Sequence, residues 1–288
     1  MSIKHHKKWL ILVLIIILLA AGLWRSKHSL SVTHYTMSNP EFQSSIRILQ
    51  LSDLHNSEFG RDNQRLIQKV QEQEPDLILL TGDIVNSDEE RVDIAGNVIA
   101  ELCKIAPVYC SNGNHEVEYE QNYGTDVDNL YQEAGATVLE KAYQDIEIKG
   151  QQIRLGGIYG YCLPEMYLAT GEANESECAF LKDFQNTELP TILMCHMPVC
   201  WMINSGLDEW DVDFIFAGHV HGGEVILPFA GGLYGPDFGW FPGSLEGVFS
   251  SKDNSKKLVL SRGLGTSEKI PRFNNIPEIV VVDIQGKD

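Results

Sequence analysis

The sequence has 288 residues, of which 43% are hydrophobic, so it can bury a sizeable core, and its formal net charge is −18. Residues 1–28 hold five of the 22 Lys and Arg and none of the 40 Asp and Glu, which leaves 17 basic against 40 acidic residues in the rest of the chain. Because nucleic-acid backbones are bound by clustered basic side chains, we expect no nucleic-acid partner.

The first predicted element is an apolar N-terminal helix. Between Lys8 and Arg25 lie 16 uncharged residues, WLILVLIIILLAAGLW, which are apolar on every face and carry Trp at both ends. We interpret residues 1–28 as a retained membrane anchor, with a signal sequence as the alternative. Three basic residues before the segment and two after it favour a cytoplasmic N-terminus. The prediction is a single-pass cell-membrane protein with an extracytoplasmic domain.

After an irregular linker predicted at 29–45, residues 46–288 are expected to form one α/β domain. Short β-rich runs alternate with polar, helix-like stretches, as in folds with much parallel strand pairing. The six cysteines show no CxxC pair and are predicted to be small buried hydrophobes. Strands are predicted at 46–52, 77–82, 107–113, 191–195, 213–218, 256–263 and 278–284, helices at 62–73, 88–104 and 125–134, and a hairpin at 147–158.

Side chains that commonly bind metals follow each of the first five strands. The carboxyl ends of strands in an open α/β sheet share one edge, so residues distant in sequence can meet there. A single histidine after a strand is more often a capping or core residue, but its repetition at five strand ends favours a metal site. The residues are Asp53, His55, Asp83, Asn114, His115, His196, His219 and His221.

Seven of these groups, all but His115, exceed what one tetrahedral zinc ion needs and suit two divalent ions. Asp83 is the best-placed carboxylate to bridge them. A water held between two such ions would become a hydroxide nucleophile near neutral pH. Mixed nitrogen and oxygen ligation permits Mn, Fe, Zn or Co.

Five short motifs occupy these strand ends: DLH at 53–55, GD at 82–83, GNHE at 113–116, CH at 195–196 and GHVH at 218–221. Their order and spacing resemble those of the calcineurin-like metallophosphoesterases across roughly residues 47–284. GHVHGGEVILPFAGGLYGP and SRGLGTSEKIPRFNNIPEIV further resemble the membrane-associated bacterial branch of that family. Glu224 departs from the branch, which usually has Gln there, and an extra carboxylate would weaken anionic substrate binding or recruit another cation.

The resemblance implies a four-layer α/β/β/α sandwich of two mixed sheets, with a dinuclear metal site at the carboxyl edge of the strands. It implies that His115 is catalytic, facing the scissile phosphate to stabilise charge or protonate the leaving oxygen. It also implies three ligands for each metal and one bridge: Asp53, His55 and His221; Asn114, His196 and His219; and Asp83.

The glycine-rich stretch 231–243 is predicted to form a loop beside the crevice. Its aromatic residues, Trp240 and Phe241 among them, have two interpretations: a small hydrophobic cluster beneath the loop, or an apolar wall for a lipid or nucleoside part of the substrate. Arg272 is predicted to clamp a substrate phosphate.

These residues predict a metal-dependent hydrolase that attacks a phosphodiester or pyrophosphate with a metal-bridging hydroxide, and a lipid-linked substrate is one option. The alternatives are a phosphomonoesterase of the same fold and a non-catalytic metal-binding scaffold. The complete ligand set, together with His115, argues against the scaffold. The sequence leaves the natural substrate, the metal and the oligomeric state open.

Overall fold

The computed structural model describes residues 3–159, 170, 178–266 and 270–286. Its N-terminal helix, α1 (Ile3–His28), contains the apolar stretch Lys7–His28, which is long and apolar enough to cross a membrane and is almost wholly exposed. The last turn of α1 carries Arg25, Lys27 and His28, whose side chains suit the negative end of a helix dipole.

The described residues of the domain form two six-stranded mixed sheets and one small sheet. The strands are β1 (Ser31–Ser38), β2 (Ile46–Leu51), β3 (Leu77–Thr81), β4 (Val108–Ser111), β5 (Thr137–Val138), β6 (Ala142–Ile148), β7 (Gln151–Ile158), β8 (Thr191–Cys195), β9 (Phe214–Ala217), β10 (Ile226–Leu227), β11 (Gly231–Gly235), β12 (Gly239–Gly243), β13 (Gly247–Ser250), β14 (Lys257–Leu260) and β15 (Glu278–Gln285).

The first sheet has the strand order β1-β15-β2-β3-β4-β5, and the second has the order β13-β14-β9-β8-β7-β6. In the first sheet, only β15 and β2 pair in the antiparallel direction. In the second, β14, β9, β8 and β7 are mutually parallel, and an antiparallel strand closes each edge. The functional loops therefore leave both sheets from the carboxyl ends of parallel strands.

The described α-helices that follow α1 pack on the outer faces of the two sheets. Those on the first sheet are α2 (Gln64–Gln71), α3 (Asp93–Leu102), α4 (Asn114–Tyr123) and α5 (Val127–Glu133). Three short helices lie on the second sheet: Ala179–Phe184, Val199–Met202 and Gly206–Glu209.

Three apolar clusters separate these layers. One lies between the first sheet and its helices and contains Leu49 and Val98, and a second covers the outer face of the other sheet around Leu193. The third fills the space between the two sheets and joins Ile48 to Phe216. Alternate residues of each central strand face opposite clusters, as the two-residue period of a strand requires. The arrangement confirms the predicted α/β/β/α sandwich of two mixed sheets.

The prediction of an irregular linker at 29–45 is wrong for its first half. Residues 31–38 form β1, which runs parallel to β15 and pairs with it from Ser31↔Glu278 to Ser38↔Gln285. The strand is polar and largely half-buried, because it occupies the edge of the sheet. It therefore lacks the apolar pattern by which a central strand is recognised.

The hairpin predicted at 147–158 is confirmed, since β6 and β7 are antiparallel. Its two turn residues, Lys149 and Gly150, both have positive φ, as in a type I′ turn. The loop predicted at 231–243 is instead a second hairpin, formed by β11 and β12. The sequence predicted a loop because glycines contribute no side-chain pattern. Their backbone groups nevertheless form the hydrogen bonds between β11 and β12.

The cysteines are less uniform than the sequence predicts. Cys110 is a buried free thiol, as expected, and Cys195 is buried with its Sγ 3.6 Å from the carbonyl oxygen of Met197. Cys200, however, is disulfide-bonded. Because cysteines distant in sequence can meet in the fold, the absence of a CxxC spacing does not exclude a disulfide.

Candidate metal centre

Loops from both large sheets converge at the carboxyl ends of five strands. In the first sheet, Asp53, Asp83 and Asn114 follow β2, β3 and β4, and in the second sheet, His196 and His219 follow β8 and β9. The loops of the two sheets are joined directly, because Asp53 Oδ1 accepts a hydrogen bond from the backbone N–H of His219 at 2.9 Å. The predicted convergence of these distant residues is therefore present in the fold.

Among the described residues, three overlapping groups of side chains could each hold a cation. Within each group, one ligand atom per residue lies within 4.8 Å of the others. His55 and Asp83 each belong to two groups, so the three form one continuous cluster. The groups are Asp53, His55 and His221; His55, Asp83 and His115; and Asp83, His196 and His219.

Several ligand atoms in this cluster are buried and have no hydrogen-bond partner within the described part of the chain. They are Asp53 Oδ2, both ring nitrogens of His55, and Asn114 Oδ1. Buried polar atoms almost always have partners, and an unpaired one costs roughly 1–3 kcal/mol. Carboxylate, amide and imidazole atoms arranged in this way suit a dinuclear site for divalent metals.

The backbone of the cluster is strained. Asp53, His55, Asp83, His219 and His221 all have φ between 45° and 69°, a region that non-glycine residues rarely occupy. Conformations of this kind concentrate at functional sites, where the surrounding structure holds them in place.

Two glycines allow the loops to approach closely. A Cβ atom on Gly113 would lie 2.3 Å from Asp83 Oδ1, and one on Gly218 would lie 2.4 Å from Asp53 Oδ2. Each carboxylate therefore occupies space that only glycine leaves open.

Glu116, a fully buried residue of α4, ties two of the loops together. Its carboxylate accepts hydrogen bonds from the backbone N–H groups of Asp83 (2.8 Å), Ile84 (2.7 Å) and Gly113 (2.7 Å), and from the hydroxyl of Tyr131 (2.8 Å). Burial, and then the charge of Asp83, raises the pKa of Glu116. The residue fixes the spacing between the second and third motifs.

The cluster is short of positive charge. Burial lowers the pKa of His55 to about 3, against the opposing effect of Asp83, and burial also holds the pKa of His221 well below its usual value. Although burial opposes protonation of His196, the carboxylates of Asp83 and Asp53 raise its pKa to about 10. The buried carboxylates of Asp83 and Asp53 therefore stabilise positive charge in this part of the cluster.

Sequence comparison agrees with this geometry. The family model described as "Calcineurin-like phosphoesterase" matches residues 46–223, well over half of the chain. The chain belongs to the calcineurin-like phosphoesterase family. It is a phosphoric ester hydrolase of the metallophosphoesterase type.

Three curated relatives cover most of this phosphoesterase. "Uncharacterized metallophosphoesterase YkuE" of Bacillus subtilis (strain 168) is 28% identical over 90% of this chain and 87% of its own length. "Phosphodiesterase YaeI" of Escherichia coli (strain K12) is 28% identical over 83% and 82%. "UDP-2,3-diacylglucosamine pyrophosphatase LpxG" of Chlamydia trachomatis is 25% identical over 82% and 83%.

His115 lies at the edge of the phosphoesterase's ligand cluster, with its ring centroid 4.5 Å from that of His55. Its Nδ1 accepts a hydrogen bond from the backbone N–H of Ser87 at 3.0 Å, so a neutral ring carries its proton on Nε2. The Ser87 hydroxyl lies 2.9 Å from the same Nδ1 and donates to Glu118 at 2.9 Å. The orientation of the ring is therefore set by a network outside the cluster.

Arg272 is buried close to the candidate centre. Its guanidinium is buried and donates to the backbone carbonyls of Arg262, Gly263 (3.1 Å) and Gly265 (2.9 Å). The Gly265 carbonyl is in turn 3.2 Å from Nδ1 of His221. These contacts favour a positioning role for Arg272, and its phosphate-clamp role stays a prediction.

Trp240 and Phe241 are 62% and 64% exposed on β12, so they do not form a cluster packed beneath a loop. Their hairpin does lie beside the candidate centre, because its turn residue Asp237 places Oδ2 3.5 Å from His219 Nε2. A substrate-binding role for the two aromatics stays a prediction.

Sequence reasoning missed three residues that shape the site. Glu116 was noted only as a member of the GNHE motif, and its role in holding the loops was not predicted. A Glu three residues after a helix N-cap is nevertheless a recognisable capping signal. Ser87 and Asp237 gave no comparable signal, because each meets its histidine through the folding of a separate loop.

Proposed function

We propose that this phosphoesterase cleaves a phosphodiester or pyrophosphate bond in a lipid-linked substrate while α1 holds it at a membrane. The observation that carries the proposal is the cluster of overlapping, largely buried metal-ligating groups, in which atoms of Asp53, His55 and Asn114 have no partner among the residues that the structure describes. A domain tethered to a bilayer meets membrane-resident substrates at high effective concentration.

We assign Asp53, His55 and His221 to one ion and Asn114, His196 and His219 to the other, with Asp83 shared. The shared role is supported by Asp83 Oδ2, which lies 3.7 Å from His55 Nε2 and 3.1 Å from His196 Nε2. Two divalent ions held there would supply Lewis acidity toward phosphoryl oxygens and lower the pKa of a water ligand. Mn, Fe, Zn and Co all remain compatible with these ligands.

We assign His115 to the leaving-group side. Its Nε2–H can donate to the departing oxygen, while the Ser87 N–H holds the opposite side of the ring. The side chain thus stabilises developing charge on that oxygen by a hydrogen bond and need not bind a metal.

Two further carboxylates favour a diester over a monoester. Glu224 Oε1 lies 3.9 Å from His221 Nδ1, and Asp237 Oδ2 lies 3.5 Å from His219 Nε2. A phosphomonoester carries close to two negative charges at pH 7, whereas a diester carries one, so extra carboxylates penalise the monoester more. The names of the relatives YaeI, a phosphodiesterase, and LpxG, a pyrophosphatase acting on a diacylated nucleotide sugar, point the same way.

We also propose that the domain lies outside the cytoplasm. The basic residues before the apolar segment support this orientation. The disulfide at Cys200 supports it independently, because disulfides persist in oxidising compartments and are rare in the cytosol.

The test is a substrate panel on the metal-stripped full-length protein, reloaded separately with Mn, Fe, Zn or Co. We expect kcat/KM for an aryl phosphodiester and a nucleotide-sugar pyrophosphate to exceed that for an aryl monoester by roughly tenfold or more. A preference for the monoester would overturn the assignment. Two bound ions with no hydrolysis of any substrate would identify a scaffold.

A further inference from the structure

A cavity of about 650 Å3 lies between the carboxyl end of α1 and the catalytic domain. The α1 wall includes Leu23 and Ser26, and the domain wall includes Phe59, Leu264 and Pro271. Ligand pockets for small molecules typically enclose about 300–1,000 Å3 and are mostly apolar. The cavity has the size and lining of a binding site, and no role assigned above uses it.

The end of α1 is held against the domain by hydrogen bonds, so the cavity is not the gap beside a detached helix. The backbone N–H of Asn275 donates to Ser26 Oγ at 3.3 Å, and Arg65 Nη2 donates to the carbonyl oxygen of His28 at 3.1 Å. Ser26 itself is 1% exposed. These contacts fix the width of the cavity.

On one side, the cavity continues onto the apolar surface of α1. Leu23, which lines it, is 40% exposed, and Leu19, one turn earlier on the helix, is 48% exposed. If α1 crosses a bilayer, this surface faces acyl chains, so an apolar chain can pass from the bilayer into the cavity without crossing water.

On the other side, the cavity borders the candidate metal centre. Gly265 lines the cavity, and its carbonyl oxygen lies 3.2 Å from His221 Nδ1. Its backbone N–H donates to the carbonyl oxygen of Asp53 at 2.6 Å. A molecule in the cavity is therefore separated from two ligand residues by a single residue.

Polar and charged residues also line the cavity, among them Lys27, Glu58 and Thr266. A lining that combines apolar and polar side chains matches an amphiphile that has an alkyl chain beside a polar group.

Resting on the proposed function, we propose that this cavity binds the acyl or prenyl chain of the lipid-linked phosphoester. The chain enters from the bilayer along α1. The aromatic hairpin at Trp240 and Phe241 is a separate surface, and the chain does not need it.

The first test is a homologous series of p-nitrophenyl alkyl phosphodiesters, from methyl to dodecyl, with the full-length metal-loaded protein in nanodiscs. Each methylene moved from water into an apolar site is worth about a fourfold gain in binding. We expect kcat/KM to rise about fourfold per methylene until the cavity is full. A wild-type series that is flat would overturn the proposal.

Two matched variants separate the cavity from the bilayer. Leu23→Trp places an indole in the cavity, whereas Leu19→Trp places one on the same helix away from it. In Leu23→Trp, we expect the ratio of dodecyl to methyl kcat/KM to fall roughly tenfold or more, because each excluded methylene forfeits about fourfold. Leu19→Trp should keep the wild-type ratio. An equal fall of this ratio in both variants would mean that the preference for long chains arises at the membrane surface of α1, and it would overturn the proposal.

The second test needs no catalysis. A dodecylphosphonate with a terminal diazirine, which a phosphoesterase cannot cleave, is photolysed with wild-type, Leu19→Trp and Leu23→Trp protein. We expect adducts near Phe59 and Pro271, reduced in Leu23→Trp alone. Adducts confined to α1 residues before Leu23, or to β12, would overturn the cavity. A protein that forms the expected adducts but cleaves no diester would refute the proposed hydrolysis and leave the cavity assignment standing.

Discussion

The two carboxylate oxygens of Asp83 have different partners, and the candidate centre depends on both. Oδ1 accepts the backbone N–H of His115 at 2.8 Å, which fixes the third motif against the second. Oδ2 lies between His55 and His196. One side chain thus combines a structural contact with the proposed bridging role.

We expect Asp83→Asn to lower both metal content and activity, because a neutral amide is a poor bridge between cations. Elemental analysis should find fewer than two ions per chain, and kcat/KM should fall by roughly a hundredfold or more. Asp211→Asn, at a side chain that is 86% exposed, is the control and should retain both. Two retained ions with near-normal turnover would contradict the bridging role.

His115→Ala should separate chemistry from metal binding. We expect kcat to fall by roughly a hundredfold or more, the usual scale for a positioned acid, while both ions remain bound. His34→Ala, at an exposed histidine of β1, is the matched control. If elemental analysis finds an ion lost in His115→Ala, the residue is a ligand instead.

Glu140 gives a prediction about pH and stability. Burial raises its pKa to about 7, and the backbone N–H of Tyr159, which it accepts at 3.0 Å, opposes that rise. Since the pKa is higher in the folded state than the unfolded value of about 4.3, the folded protein holds more protons between these pH values. The stabilising contribution of Glu140 is therefore fully present below pH 4 and lost as pH rises through 7.

The measurement is urea unfolding of wild-type protein and Glu140→Gln from pH 4 to 8. The wild-type free energy of unfolding should decline more steeply with pH than that of the variant. Glu133→Gln, at an exposed residue, should follow the wild type. Parallel curves for wild type and Glu140→Gln would contradict the raised pKa.

The candidate ligands were predictable for two reasons. Only a few side-chain types bind divalent metals, and residues that follow parallel strands meet at one edge of a sheet. The burial of Arg272 was less predictable, since a buried guanidinium that donates to carbonyls looks the same in sequence as one that faces a cleft. The position of Asp237 was not predictable from the sequence either, because its contact with His219 depends on how the hairpin of β11 and β12 folds.

At the scale of elements, α4 does more than continue the chain after β4. It carries Asn114 and His115 in its first turn, and Glu116 in the same turn holds the loop after β3. Rotating or unwinding this one helix end would move the second and third motifs together.

We expect Glu116→Gln to destabilise the fold and release metal at the same time. Each oxygen of Glu116 accepts at least two hydrogen bonds, so an amide nitrogen in either position faces donors that it cannot satisfy. The loss should be roughly 2–5 kcal/mol, from one or more unsatisfied buried donors. Urea unfolding and elemental analysis measure the two effects, with Glu133→Gln as the control. Normal stability together with full metal content would contradict the tying role.

Most elements were predictable where apolar runs mark buried strands, as in β2, β3, β8 and β9. The misses share a physical cause: β1 is an edge strand with polar residues, and β11 and β12 are rich in glycine. In both cases backbone hydrogen bonds to a neighbouring strand determine the structure, and the side-chain pattern carries little of that information.

At the scale of the whole molecule, the proposed topology can be tested on cells. A retained anchor with its N-terminus in the cytoplasm leaves residues 29–288 outside, so external protease should remove the domain from intact cells. A cytoplasmic protein in the same cells, resistant until the membrane is opened, is the control. A fully protected domain would reverse the orientation and would also conflict with the disulfide at Cys200.

The strand order β1-β15-β2 has a consequence for how the protein is made. β1 follows the helix α1 immediately, yet its only neighbour in the first sheet is β15, which comes after every other described strand along the chain. Until β15 has been synthesised, the position between β1 and β2 is unfilled. The facing edges of both strands are then unpaired, and unpaired strand edges can pair incorrectly. Anchorage of α1 in a membrane would hold β1 near the domain during synthesis. β15 would then complete the sheet by pairing with β1 on one side and β2 on the other.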